Sequence, residues 1–254
     1  MSTPAAGPQW QGLIDDFNRP NALLDAGAGA PIWVRGWIDS DWPTDLRVIS
    51  NQLGQTVNAW NQAYVRPAFR QLRSDFDVLI DCVTAPSATN SGEFHLHMLL
   101  QNPGTQRTGL AFIRSGTSWI LRRAVNGANT QLASASGASI ASGTTFWVAK
   151  RGNALTAYRR TSPGGAWAQI ITAANVGSPA TGWTTGAVGI EIAESASRWD
   201  NLRGGPFVGG AALKCWTGAA WQPGTLRGRA GSAWVTARVH DGTRWRPAER
   251  VTPP

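Results

Sequence analysis

The chain is poor in charge, in cysteine and in long apolar runs. Asp, Glu, Lys and Arg make up only 15% of its 254 residues, and lysine occurs at Lys150 and Lys214 alone. Long helices draw on Ala, Leu, Glu and Lys, so this balance argues against a helical protein. No stretch approaches the ~20 apolar residues that cross a bilayer as a helix, and membrane insertion is not expected. The opening Met1-Ser2-Thr3-Pro4-Ala5-Ala6-Gly7-Pro8 has neither a basic nor an apolar region, so no secretory signal is read there. The two cysteines, Cys82 and Cys215, fit no CxxC or metal-ligand spacing. Both are expected as free thiols, with a single disulfide between them as the alternative. A Gly-x-Ser-x-Gly elbow, a paired Cys/His arrangement and a phosphate-cradling Gly loop before a helix are all missing.

What is abundant is glycine (29), proline (15) and tryptophan (14, against two tyrosines), within a hydrophobic content of 42%. Many short strands joined by tight turns suit that mixture, with enough apolar residues for a sizeable core. Alternation is clear in Phe76-Asp77-Val78-Leu79-Ile80-Asp81-Cys82 and in Phe94-His95-Leu96-His97-Met98-Leu99-Leu100. Further strands are expected over 46–53, 57–65, 108–115, 118–125, 144–150, 154–160, 167–172 and 186–193. Between them stand turn signals: Asn102-Pro103-Gly104, Ser115-Gly116, Asn126-Gly127, Arg151-Gly152-Asn153 and Ser162-Pro163-Gly164-Gly165. The pattern predicts an all-β antiparallel sandwich or barrel with no helix longer than a turn or two.

Composition shifts after the linker-like Gly204-Gly205-Pro206-Phe207-Val208-Gly209-Gly210. Three copies of a short pattern follow, each with an aliphatic residue, a basic residue and a closing Gly-x-x-Trp: Leu213 to Trp221, Leu226 to Trp234 and Ala237 to Trp245. Each fits a β-hairpin, with the closing Trp opposite Trp216, Arg229 or His240. Residues 1–205 hold 16 Lys+Arg against 13 Asp+Glu, a net +3, and residues 206–254 hold 7 against 2, a net +5. Lys214, Arg227, Arg229, Arg238, Arg244 and Arg246 are therefore candidates for a basic docking face toward an anionic partner, the alternative being a merely solvated face. Residues 1–12 read as a tail, 13–206 as the sandwich and 207–254 as a Trp-rich hairpin repeat module.

Several stretches together resemble the concanavalin A-like (LamG-like) jelly roll of minor tail proteins from phages that infect actinobacteria. They are Asp15-Asp16-Phe17-Asn18-Arg19, Ser74-Asp75-Phe76-Asp77-Val78, Gly109 to Arg114 with Ile120 to Arg123, Phe146 to Tyr158, Gly186 to Ile190, and Arg198-Trp199-Asp200-Asn201-Leu202-Arg203-Gly204-Gly205. The resemblance covers roughly residues 13–206, and the C-terminal repeats also look like modules attached to such proteins. It implies an antiparallel jelly-roll sandwich closed by pairing of the 15–19 and 198–203 segments. It also implies a virion protein of the tail tip or fibre, made in the host cytoplasm, that docks on other tail proteins as a homo-oligomer and contributes to host attachment. A stand-alone carbohydrate-binding lectin without virion role is the alternative.

The fold hosts lectins, glycosidases and scaffolds alike, so the chemistry must come from residues. Glycoside hydrolysis needs a carboxyl pair about 5–5.5 Å apart for retention. Glu191 and Glu194 have odd spacing, which puts them on opposite faces of a strand, while Asp75, Asp77 and Asp81 share a face but include no Glu. No catalytic residue is assigned, and the protein is expected not to be an enzyme. His95 and His97 share a strand face, and a hairpin of the two clear strands would set Asp81 beside His95 as an ion pair. That reading is preferred to a metal site, which needs three or four convergent ligands. No cofactor is expected, although Asp39, Asp41 and Asp45 could hold calcium as loop carboxylates do. Nucleic acid is not expected as a partner. An anionic or neutral host-envelope glycan is, because Trp faces stack on sugar C–H surfaces. The candidates are Trp37, Trp42, Trp60, Trp216, Trp221, Trp234 and Trp245, each weighed against a core or hairpin-pairing role, while Trp119, Trp147 and Trp199 read more strongly as core.

Overall fold

A strand whose alternate residues are apolar needs a second apolar sheet to cover that face, and this chain supplies two. The computed structural model describes residues 13–27, 32–35, 45–65, 72–86, 94–101, 107–137, 139–177 and 182–206, with the strand backbones 214–216, 221–223, 238–240 and 245–247. In chain order the strands are β1 (Leu13–Asp15), β2 (Ala22–Leu23), β3 (Trp33–Arg35), β4 (Arg47–Ile49), β5 (Gln52–Gly54), β6 (Asn61–Val65) and β7 (Leu72–Arg73). Then come β8 (Phe76–Thr84), β9 (Phe94–Gln101), β10 (Thr108–Ser115), β11 (Ser118–Val125), β12 (Ala128–Ser136), β13 (Thr144–Arg151) and β14 (Ala154–Arg160). The last are β15 (Ala168–Ala173), β16 (Thr185–Ile192), β17 (Arg198–Pro206), β18 (Lys214–Trp216), β19 (Trp221–Pro223), β20 (Arg238–His240) and β21 (Trp245–Pro247). No helix occurs among the described residues.

One sheet has nine strands in the order β15-β14-β13-β8-β17-β5-β4-β2, with β1 also on β17; the other has eight, β12-β11-β10-β9-β16-β6-β3, with β7 on β16. The fold is an all-β antiparallel jelly-roll sandwich. Its core lies between the sheets, where Trp33, Trp119, Trp199, Phe17, Phe76, Phe94, Phe112 and Phe146 are fully buried. Each such ring is worth about 2–3 kcal/mol of apolar burial. Phe94 of the eight-stranded sheet stacks on Trp199 of the nine-stranded one, with ring centroids 3.9 Å apart.

The first and last strands of the sandwich do pair, slightly upstream of the expected segment. Leu13 and Asp15 face Arg203 and Leu202, whereas Phe17 adopts φ +52° and turns the chain away. The buried Asp15 carboxylate holds that turn. It accepts from the Phe17 amide (2.8 Å), from both Arg19 terminal nitrogens (2.7 and 2.9 Å) and from Trp33 Nε1 (2.6 Å).

Five other features depart from the expectation. Strands β8 and β9 are not a hairpin: they lie in different sheets, so Phe76, Val78 and Ile80 meet Phe94, Leu96 and Met98 across the core. The expected single strand 46–53 is a hairpin, because Ser50 and Asn51 both take positive φ (51° and 60°), the geometry of a tight two-residue turn. An unexpected strand, β12, runs along the edge beside β11. Leu99 sits at φ +53° with the pairing register slipped on both sides. This bulge sends Leu99 into the core and puts Leu100 with Ala187 and Tyr64 instead. Gly186 is needed there, since a Cβ on it would lie 2.2 Å from the Leu99 carbonyl carbon. Trp147 is buried but packs outside the main core with Leu79, Ala149, Tyr158 and Trp167, since Phe146 and Val148 take the inward positions.

The chain divides into two compact units, Met1–Phe207 and Val208–Pro254. In the second, β18 pairs with β19, setting Trp216 opposite Trp221, and β20 pairs with β21, setting His240 opposite Trp245. These are the first and third hairpins expected from the repeat; the second copy lies outside the described residues.

Candidate functional site

Because Phe94, Leu96 and Met98 fill the core, strand alternation turns His95 and His97 to the outer face of the eight-stranded sheet. Register then lines up two rows across that face. One runs Gln62, Glu191, His95, Ile113, Ile120, Ser134 on β6, β16, β9, β10, β11 and β12. The next runs Tyr64, Gly189, His97, Ala111, Arg122, Gln131. Gly189, opposite His97, carries no side chain, and the His97 ring reaches its diagonal neighbour Glu191.

The result is a buried polar cluster. His95 Nδ1 lies 2.8 Å and His97 Nε2 3.1 Å from the same oxygen, Glu191 Oε2. Gln62 Nε2 donates to the other oxygen, Oε1, at 2.9 Å. Burial pushes the Glu191 carboxyl up, but the hydrogen bonds from His95 and His97 outweigh it and hold the group below the usual carboxylate range. Burial drives the His97 imidazole down to about 4, against the opposing pull of Glu191. The carboxylate is thus ionised and accepts, so His97 Nε2 carries the proton and donates.

Beside the cluster opens a hollow of about 280 Å³ lined by Trp60, His95, Ile113, Ser115, Ile120, Arg122 and Gln131. The half-buried Trp60 ring lies 5.0 Å from the His95 ring, tilted by 49°. An aromatic face, a guanidinium, a carboxamide and a hydroxyl therefore converge on one open space.

Of the glycan candidates read from sequence, Trp60 is at this hollow. Trp37, Trp42 and Trp234 lie outside the described residues, and Trp216, Trp221 and Trp245 are described only as strand backbone. The same holds for the basic face: Lys214, Arg238 and Arg246 stand on strands, and Arg227, Arg229 and Arg244 are outside. Of the calcium candidates Asp39 and Asp41 are outside, while the Asp45 carboxylate accepts from Arg47 Nε (2.9 Å) and the Thr56 amide (2.8 Å). The expected Asp81–His95 pair is replaced. His95 binds Glu191, and Asp81, on the other sheet, binds Arg203 at 2.9 Å. Asp75 and Asp77 are likewise engaged, Asp75 with Lys150 (3.7 Å) and fully buried Asp77 with Arg151 and Trp147 Nε1 (both 2.7 Å). Sequence reasoning weighed Glu191 only against Glu194, which lies beyond the end of β16, and passed over Gln62, Arg122 and Gln131. Only Glu191 carried a signal, as a polar residue in the otherwise apolar 186–192 run; Gln62 stands beside Asn61, Arg122 beside Arg123, and Gln131 in a strand with no apolar period.

No family model and no curated protein matches the chain. Solved structures match it at low identity. The exoplasmic/lumenal domain of VIP36 in a Ca2+/Man2-bound form superposes with TM-score 0.53 at 12% identity, covering 77% of this chain and 87% of that one. SCLam, a non-specific endo-β-1,3(4)-glucanase of family GH16, gives 0.51 at 10%, covering 80% and 93%. The CBM2 module of the evolved Dit of Lactobacillus casei BL23 phage J-1 gives 0.50 at 12%, covering 78% and 96%. The chain thus shares the jelly-roll fold of lectin, glucanase and carbohydrate-binding domains.

Proposed function

We propose that this protein binds carbohydrate through the outer face of its eight-stranded sheet, as a tail-tip or tail-fibre component of a phage, and that it does not hydrolyse what it binds. The observation that carries the binding reading is the hollow beside Trp60. A tilted aromatic offers a stacking surface, and Arg122, Gln131 and Ser115 offer the hydrogen-bonding groups that orient a polyhydroxylated ligand. Against hydrolysis stands the acid count. Among the described residues no carboxylate lines the hollow, and Glu191 beside it is engaged by His95, His97 and Gln62. The paired carboxyls of a glycosidase have no counterpart there.

The virion role rests on the sequence resemblance, and the shared fold of a phage Dit module is in keeping with it. In this reading the chain assembles as a homo-oligomer with other tail proteins, and its basic C-terminal repeats dock on an acidic tail protein or an anionic envelope polymer. Binding to host-envelope polysaccharides, measured by calorimetry, should weaken at least tenfold in Trp60→Ala while no reducing ends are released. Unchanged binding in Trp60→Ala would overturn the site, and released reducing ends the non-enzymatic reading. For the virion role, truncation after Gly210 should give particles that either lack the protein or fail to adsorb. Normal particles with normal adsorption would remove any function from the repeats.

A further inference from the structure

We infer that His95, His97 and Glu191 form a site for a single zinc-like divalent transition-metal ion. This goes beyond the glycan reading and does not depend on it. The three donor atoms, His95 Nδ1, His97 Nε2 and a Glu191 oxygen, all lie within 4.8 Å of one another. A tetrahedral ion with ligands at ~2.0–2.2 Å needs its donors roughly 3.3–3.6 Å apart. The two imidazole nitrogens stand 2.8 and 3.1 Å from Glu191 Oε2, so those two edges have to open by about half an ångström to admit the ion, while the two nitrogens, within 4.8 Å of each other, take up the third edge.

The scaffold suits such a site. The ligands sit on paired strands rather than loops, with His95 directly opposite Glu191 and His97 on the diagonal. Gln62, at 2.9 Å from Oε1, fixes the carboxylate so that Oε2 faces the imidazoles, as a partner behind a metal ligand does. The donor set also selects the ion. Calcium and magnesium prefer six or more oxygens, whereas two imidazoles and one carboxylate suit zinc. Arg107 acts electrostatically on His97 against positive charge, so the bonds from the two imidazoles and the Glu191 carboxylate have to outweigh that repulsion for any ion held there. His95 lines the hollow as well, which gives the ion an approach and leaves a fourth position for an oxygen ligand.

Binding replaces the two N–H···O hydrogen bonds by metal bonds: each neutral imidazole turns its lone pair to the ion and carries its proton on the other ring nitrogen, Nε2 of His95 and Nδ1 of His97, with no net loss of a proton. The test uses the full-length protein, stripped with a chelator and titrated with zinc sulfate by calorimetry, and then loaded with cobalt(II). The expected result is one zinc per chain, loss of that site in Glu191→Gln, and affinity lowered by roughly 10–100-fold in Gln62→Leu. The cobalt form should show the visible bands of a four- or five-coordinate ion with no thiolate charge-transfer band. Absence of zinc binding by the wild-type chain overturns the proposal. So does a stoichiometry that Glu191→Gln and His95→Gln leave unchanged, or a thiolate band, which would move the metal to Cys82 or Cys215. Should the ligand variants not fold, zinc-edge absorption on the wild type decides. A nitrogen–oxygen shell with imidazole scattering supports the site, and sulfur in the shell refutes it.

Discussion

Acid should loosen this protein as pH falls from about 6.5 toward 4, and His97 is the reason. In the folded chain its imidazole is driven by burial from the ordinary 6.5 down to about 4. The unfolded chain therefore takes up a proton that the native state refuses, and stability falls as pH drops from 6.5 toward 4. At pH 5 the penalty from this one group is about 2 kcal/mol, and it is nearly nil at pH 7. Glu191 acts in the opposite chemical sense but in the same direction. Its folded value is held low, so its contribution persists above the ordinary carboxylate range and is lost only at pH values below about 4.5. The comparison of wild type with a His97 variant from pH 7 to 5 thus reads His97. Urea unfolding followed by far-UV circular dichroism at pH 7, 6 and 5, with chelator present, should show the wild type losing about 2 kcal/mol more across that window than His97→Gln. Equal losses in the two proteins, within about 0.5 kcal/mol, would mean that His97 is not held neutral by its surroundings.

Two further outcomes are expected. Gly186→Ala should destabilise by about 2–4 kcal/mol, because its new methyl would sit 2.2 Å from the Leu99 backbone and neither strand can move without breaking pairing; a change below about 1 kcal/mol in the same urea assay would refute the close contact. Cys82, buried with its thiol pushed up to about 12 by desolvation, should resist iodoacetamide at pH 8 until the chain is unfolded, as read by peptide mapping.

The fold was legible where a strand has one dry face. The alternations at 76–82 and 94–98 gave both the strands and the inward residues, because a single wet position in the wrong phase would have spoiled the pattern. Legibility stopped where backbone geometry, not side-chain period, decides. Met98-Leu99-Leu100 reads the same in either register, so the positive φ at Leu99 was invisible. Ser50-Asn51 contains no glycine to mark its tight turn. Strand β12 is made mostly of small and polar residues, Leu132 apart, with little burial on either face, and shows no period. At the site, the shared face of the two histidines and the place of Trp60 among candidates were readable. The partner of the histidines was not, since Glu191 is 96 positions from His95 and only the order β9-β16-β6 joins them.

That order has a kinetic side. Glu191 binds Gln62 across 129 positions and His95 across 96, on the two strands that flank β16. The cluster cannot form from any hairpin alone; it comes together only once β16 has slotted between β9 and β6. Contacts of such long sequence separation are slow to close. The polar cluster therefore works as a seal on the finished sheet: amide protection around Glu191 should lag behind that of the local hairpin β10–β11, and a chain that stalls before β16 docks has a native-like hairpin edge but no site.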